Sequence, residues 1–551
     1  MTGLDGLGGL RAPVEAAMDR MNAQRWVDRL SQKDGTIWSA DVDTAAEIAS
    51  WMGWLDVAEE LSAEDVLARL RALTEDVKMA GFTHAVLAGM GGSSLCPDVL
   101  GRTFGHVDGH PELLVLDSTD PSTIAEIEAQ IDLSRTLFII ASKSGGTLET
   151  LSHMKYFFAK VKSTAGDSAG QQFIAITDEG SGLHQSAKEL GFREVFLNRA
   201  DIGGRYSALS FFGMVPAAVM GLDFGQLLAG AVAMRDNCRQ ADAHSNPGLE
   251  LGAVLGSAAN SGRDKCTIIC SSPVATLGMW LEQLLAESTG KQGKGIIPVE
   301  GEPLGPPGAY GDDRLFVFVR TVDGGEHLDS EVGALRAAGH PVYTIEIPGP
   351  GEIGAEFLRW EVATAIAGAV IGINPFDQPN VQESKDNTNA VLKRFLETGD
   401  FGVETPPDPW AEIEALLGKI GAGDYFALLA YTQPGEGMDS LLSQVREAVR
   451  DQKRVATTSG YGPRYLHSTG QLHKGGPNSG VFLILADQRG DDLPIPEAPY
   501  GFKTLIQAQW AGDLKSLRDH GRRVAMVDIG VDREAALRQL LEAARQAVSA
   551  G

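Results

Sequence analysis

The segment "LEQLLAESTGKQGKG" carries Gln283 and Glu287 four residues apart, on one face of a predicted helix. Glu287 falls in the last turn of that helix, where the dipole disfavours a carboxylate, so its position points to a task such as proton transfer. "ADIGGRYSALSFFG" sets Arg205 after two glycines and before an apolar helix. A cation at the positive end of a helix is electrostatically wasteful unless an anion lies near it. "NPFDQPNVQESKDNTNAVLKRF" brings Asp377, Gln378 and Lys385 into a loop that leads into a helix. "LHSTGQLHKGG" holds His467 and His473 with a glutamine and three glycines. No acidic or thiol partner lies at ligand spacing there, so a metal site is a weak reading. A surface turn and a displaced piece of an active site both remain open for it.

Two further turns could hold an anion. "LAGMGGSSLCPDVL" reads as a strand, then Gly89, Gly91 and Gly92, then Ser93 and Ser94 opening a helix. Glycines let the backbone approach an anion, and the helix start presents free amides. "ASKSGGTLET" repeats the device one strand later, with the hydroxyls of Ser142, Ser144 and Thr147 and the cation of Lys143. Each turn alone fits helix capping. Two of them at the ends of neighbouring parallel strands fit a ligand site, because open α/β sheets bind ligands beyond the carboxyl ends of their strands. Neither is a dinucleotide fingerprint, and no GxxxxGK[ST] occurs, so the group implied is a small phosphate monoester.

These residues need a frame to hold them. The 551 residues correspond to roughly three domains of about 150 residues. A net charge of −26 repels nucleic acid and anionic membrane, so neither is an expected partner. The cysteines Cys96, Cys238, Cys266 and Cys270 form no CxxC pair, which fits a reducing compartment. The N-terminus lacks a secretory pattern, and the longest apolar run, "VATAIAGAVIGI" from Val362, is shorter than the ~20 residues of a membrane span. That run reads as a buried helix and the protein as cytoplasmic. Residues 1–75 are helical in pattern, with Trp26, Trp38, Trp51 and Trp54 as core anchors. Apolar runs then alternate with amphipathic stretches: "HAVLAGM", "ELLVLD", "TLFIIAS", "QFIAITD" and "EVFLN", then "KCTIICSS", "LFVFVRT" and "PVYTIEIP". After the proline-rich "TGDFGVETPPDPW" the alternation resumes with "YFALLAY", "RVATTS", "VFLILAD" and "RVAMVDIG". Such runs are strands of parallel sheets covered on both faces. The expected organisation is a helical segment (1–75), α/β domains at 76–243 and 244–397, and a third α/β domain at 408–551.

Together the motifs resemble the phosphoglucose isomerase family. Its two signatures are similar to "DIGGRYSALSFFG" and "FDQPNVQESK", its phosphate turns to "GMGGSS" and "SKSGGTLET", and its base motif to "ESTGK", all in the family's order. Asn380 stands where the second signature usually has glycine, Gln382 where it has glutamate, and the first turn has Met90 and Ser94. The third domain resembles that of the isomerase half of transaldolase–phosphoglucose isomerase fusion proteins, although the segment before the first sheet is too short for a barrel of roughly 250 residues. The fold implied is two doubly wound sugar-isomerase (SIS-type) domains plus the C-terminal α/β domain. The activity implied is aldose–ketose isomerisation of glucose 6-phosphate and fructose 6-phosphate, without cofactor or metal. In that reading Glu287 is the base and Arg205 stabilises the enediolate. Ser142, Ser144, Thr147, Lys143, Ser93 and Gly92 hold phosphate, while Gln283 and Gln378 orient sugar hydroxyls. The family's ring-opening histidine sits in a segment like "LHSLGQ" soon after the base. Here "LHSTGQ" lies far downstream, which implies that the segment has moved into the added domain, with His467 as the catalytic histidine, Lys385 assisting it and His473 a bystander. Ordinary members borrow this histidine from a neighbour, so a homodimer is expected. A dual phosphoglucose/phosphomannose isomerase and a non-catalytic sugar-phosphate regulator are the alternatives; retention of Glu287, Arg205 and His467 together favours the enzyme.

Overall fold

A computed structural model describes residues 3–404, 407–530 and 532–546. Thr405 and Pro406 of the proline-rich linker lie outside the described residues. The first sheet contains β1 (His84–Gly89), β2 (Glu112–Leu116), β3 (Thr136–Ala141), β4 (Phe173–Asp178) and β5 (Glu194–Asn198). The second has β6 (Lys265–Cys270), β7 (Ile297–Val299), β8 (Arg314–Thr321) and β9 (Val342–Ile347). The third has β10 (Tyr425–Tyr431), β11 (Ala456–Tyr461), β12 (Gly480–Ala486) and β13 (Arg523–Asp528). All strand pairs are parallel. The orders are β2-β1-β3-β4-β5, β7-β6-β8-β9 and β11-β10-β12-β13. Each sheet therefore winds the same way, with a switch point between its first and third strands. In the first sheet that point lies between β1 and β3, where Gly89 pairs with Ala141. Residues 90–94 and 142–147 leave the sheet there at the same level, so the two anion turns flank the crevice at which such sheets bind ligands.

The expected strands all form, because near-continuous apolar runs satisfy a sheet buried on both faces. β7 is the strand the sequence did not predict: it is three residues, holds Pro298 and sits at a sheet edge, the place that tolerates proline. The helix Ile353–Ile371 contains the "VATAIAGAVIGI" run and is buried over nearly its whole length. No helix among the described residues is long and apolar enough to cross a membrane. The N-terminal helices close over this helix, and Trp38 Nε1 donates to the carbonyl of Ala365 at 2.7 Å. Trp54, Tyr206 and Phe376 stack behind Arg205, with Trp54 and Tyr206 ring centres 5.1 Å apart.

The third sheet is joined to the rest through alternate strand residues. Phe426, Leu428 and Ala430 pack with Leu442 and Val445 in a local core. Tyr425, Ala427, Leu429 and Tyr431 belong to a core that also holds Val86, Phe138, Ile140 and Phe157 of the first α/β unit. The helix Phe502–Asp519 contributes Phe502, Leu505 and Ala508 to that shared core. Across the second unit, Arg446 donates to the carbonyl of Glu300 at 2.7 Å and Arg454 to that of Tyr310 at 2.9 Å. Buried Arg314 and Glu302 pair at 2.9 Å, and Glu302 accepts from the backbone of Thr457.

Candidate active site

Glu287 lies two residues from the end of the helix Leu277–Thr289 and is buried with Gln283 one turn before it. Arg205 sits on the turn Gly204–Tyr206 and is 1% exposed. Its Nε donates to Ser288 Oγ at 2.7 Å, and Nη1 donates to Glu287 Oε1 at 3.1 Å and Gln378 Oε1 at 2.7 Å. Nη2 donates to the carbonyls of Pro375 at 2.6 Å and Asp377 at 3.0 Å. A guanidinium has five N–H donors, and all of them are engaged here. Arg205 thus supplies charge and a fixed wall for the carboxylate, and any direct bond to a sugar oxygen requires exchange with one of these partners. Gln378, which is exposed, is the partner solvent can reach.

Lys291 joins this cluster and was not anticipated from the sequence. Its ammonium bonds to Asp377 Oδ1 at 2.6 Å and to the Asp377 carbonyl at 2.5 Å. Burial and the Arg205 charge bring it down to about 8, against the pull of Asp377. The "STGK" following the base was the available signal.

His467 ends the turn Arg464–His467, which follows β11. Its Nε2 lies 3.0 Å from Oε1 of Glu149, a residue buried in the first turn of the helix Leu148–Ala165. Burial would raise the Glu149 carboxyl, but the His467 contact, with a backbone amide and His153, together hold the group below its ordinary value. Gln283 Nε2 donates both to Glu287 Oε2 at 3.0 Å and to the backbone carbonyl of His467 at 2.9 Å. The "LHSTGQ" segment is therefore pinned beside the carboxylate by residues of the same chain. Gly91 makes this approach possible: its φ is +54°, and a Cβ there would lie 2.6 Å from the His467 carbonyl and 2.8 Å from Gln283 Nε2. Gly290 does the same for the next helix, since its Cβ would meet Leu472 Cα at 2.4 Å. His473 is buried and close to the rings of Tyr465 and Phe482. Burial pushes it down to about 3, so it is a neutral core residue.

Around the second turn, Ser142 and Thr147 hydroxyls are 2.9 Å apart, and Ser144 Oγ accepts from the Gly146 amide at 3.3 Å. Ser144 and Gly146 are exposed, as an anion-receiving turn requires. Lys143 departs from expectation. Its ammonium bonds to Asp178 at 2.5 Å and to the Ala200 carbonyl at 2.9 Å, so its charge is already matched by a carboxylate of the neighbouring strand end. Gly92 packs so close to Gly204 that a Cβ would overlap its carbonyl oxygen at 1.9 Å, so this glycine joins the anion turn to the Arg205 turn, and Ser93 is half-buried beside it. Gln283, expected on sugar hydroxyls, has its donor committed to Glu287 and His467; its buried Oε1 has no partner among the described residues. Gly146, Glu149, Lys385, Thr388, His467 and Gln509 line a solvent-open cleft. Lys385 reaches it from the exposed side of the helix Pro379–Thr398.

Comparison with known proteins bears on this arrangement. The phosphoglucose isomerase family profile matches residues 55–297. Glucose-6-phosphate isomerase of Rubrobacter xylanophilus is 32% identical over 385 residues, spanning 58% of this chain and 85% of that protein. The enzyme of the same name from Carboxydothermus hydrogenoformans is 28% identical over 389 residues, 60% of this chain and 83% of its own. Among solved structures, a hypothetical protein from Thermus thermophilus aligns with a TM-score of 0.60 at 25% identity, over 70% of this chain and 98% of that one. A glucose-6-phosphate isomerase from Chlamydia trachomatis shares the fold, with a TM-score of 0.55 at 20% identity over 70% of this chain and 86% of its own.

Proposed function

The chain belongs to the phosphoglucose isomerase family, and we propose that its site opens the ring of a hexose 6-phosphate and interconverts glucose 6-phosphate and fructose 6-phosphate. The observation that carries the reading is the Gln283 amide, which ties Glu287 to the His467 backbone across 184 residues of sequence. Through it the segment of an imidazole fit to move an oxygen-bound proton is held beside a carboxylate fit to move a carbon-bound one.

The phosphate docks on the hydroxyls and free amides of the Ser142, Ser144 and Thr147 turn, with Ser93 and the Gly92 backbone at the neighbouring turn. Glu149 as a carboxylate only accepts, so His467 carries hydrogen on Nε2 and exchanges protons with the sugar through Nδ1. Ring opening delivers a proton to the ring oxygen while the C1 hydroxyl loses its own; His467 mediates this, with the Lys385 cation on the cleft wall. Glu287 then takes the C2 proton of the open aldose, leaving an enediol(ate), and returns it to C1 while the O2 hydroxyl proton passes to O1, which gives the ketose. The Arg205 charge offsets the negative charge that develops on the oxygens, and preorganised charge in a dry site is worth several kcal/mol. Gln378 orients hydroxyls at the one exposed Arg205 partner.

Every residue in this scheme comes from one chain, so a homodimer is not required to complete it. The compartment that fits is a reducing cytoplasm, since Cys96, Cys238 and Cys266 are buried free thiols. The test is an NMR assay of purified protein with glucose 6-phosphate, fructose 6-phosphate and unphosphorylated glucose. We expect the phosphorylated pair to reach equilibrium and glucose to be inert. No turnover of either phosphate, or glucose handled equally well, overturns the reading.

A further inference from the structure

The third α/β unit supplies a second side chain to the ring-opening end. Gln509, in the helix Phe502–Asp519, is 2% exposed and lies against the cleft. Its Nε2 donates to Glu149 Oε1 at 2.8 Å, the same oxygen that faces His467 Nε2 at 3.0 Å. Its own Oε1 accepts from the hydroxyl of buried Thr119 at 2.6 Å. The Glu149 carboxylate sets the amide's orientation, because a flipped amide would turn its carbonyl against that carboxylate, and the Thr119 hydroxyl holds the other end of the amide in place. We propose that Gln509 is a positioning residue for ring opening: locked by Thr119, it fixes the Glu149 carboxylate so that His467 is held at the rotation and tautomer in which it exchanges protons with the sugar.

The chemistry follows from the two contacts. A lone carboxylate on a helix start can turn about its terminal torsion, which is broad for this side chain. A second donor on the oxygen that binds the imidazole removes that freedom, and a charge-assisted bond is stronger than a neutral one. Removing it leaves His467 present but poorly aimed. The consequence falls on cyclic substrate, since the carbon-to-carbon proton transfer by Glu287 uses neither group. The other titratable groups around Glu149 are His153 and Tyr431, both buried; His153 is bonded to the Ser118 carbonyl and Tyr431 faces Tyr465, so neither replaces the missing donor.

The inference rests on the function proposed above, and the experiment separates the two. Wild type, Gln509→Leu, Thr119→Val and Thr119→Ser are compared on glucose 6-phosphate and on a four-carbon aldose 4-phosphate, whose esterified terminal oxygen prevents cyclisation. We expect Gln509→Leu to lower kcat on glucose 6-phosphate about tenfold, the effect of one bond to a charged group, with KM within twofold and C2 proton exchange in the four-carbon substrate unchanged. The acid limb of its pH–rate profile should move to higher pH, because Glu149 has lost a donor. Thr119→Val should give the same pattern more weakly and Thr119→Ser should restore wild-type behaviour, which keeps the test decisive if Gln509→Leu does not fold. Equal losses on both substrates, a change in KM alone, or unaltered profiles in Gln509→Leu and Thr119→Val overturn the inference. An inactive wild type overturns the function itself.

Discussion

Arg205 and Glu287 at one end of the site, and His467 and Glu149 at the other, are paired at about the same separation, 3.1 and 3.0 Å. Their surroundings differ. Arg205 spends all five donors on Ser288, Glu287, Gln378 and two backbone carbonyls, and is 1% exposed. The His467 side chain is 19% exposed and opens onto the cleft, with Glu149 braced from behind by Gln509. The first end is rigid and dry, which suits charge developing on an enediolate, because fixed dipoles there need no reorganisation. The second is reachable, which suits a step that trades protons with hydroxyls of an arriving ring. The Arg205 end is also built from residues 205–378, whereas the His467 end joins the first α/β unit to the third.

The sharpest test of this division is Glu287→Gln. It should lower kcat by ~10²- to 10⁴-fold, the scale of a general base, on cyclic and open-chain substrates alike, with KM little changed. Steady-state kinetics on both substrates would show it; a loss confined to the cyclic sugar would break the comparison. His467→Ala should cost about 10²-fold on glucose 6-phosphate and spare C2 proton exchange in the four-carbon phosphate. Equal losses on the two would remove the distinction between the ends. The smallest expected effect concerns stability in acid. His153 beside Glu149 is pushed by burial to about 4 and His473 to about 3, against an ordinary 6.5. Between those values the unfolded chain binds protons that the folded chain does not. Stability should therefore fall as pH drops below about 6.5, by up to ~1.4 kcal/mol per pH unit for each ring. Denaturant unfolding from pH 7 to 4 should show a shallower slope in His473→Leu than in wild type. The substitution is mild in hydrogen-bond terms, since His473 Nδ1 has no partner among the described residues. An unchanged slope would mean that His473 is not held neutral.

Residues with a local reason to stand out were legible in the sequence, and residues whose local reason is ordinary were not. Glu287 was visible because a carboxylate is out of place at a helix end. Glu149 is the same group at a helix start, where the dipole welcomes it, so it read as part of a turn and gave no sign of its bond to a histidine 318 residues away. Gln509 lies mid-helix, where a glutamine reads as a solvated face; its partner is 360 residues distant. Lys143 was visible as a cation in an anion turn, but only the fold showed Asp178 and Ala200 taking its ammonium.

By itself the sequence determined the three parallel sheets, since apolar runs with turns between them admit little else. It also determined the two glycine turns at the first switch point and the helical spacing of Gln283 and Glu287. Tertiary structure decided which groups pair across those elements, that the "LHSTGQ" segment reaches the site within its own chain, and that the third unit shares a core with the first. The physical reason is range. Periodicity and helix ends act over a few residues, while a buried carboxylate chooses its donors by proximity in space, wherever in the chain they arise.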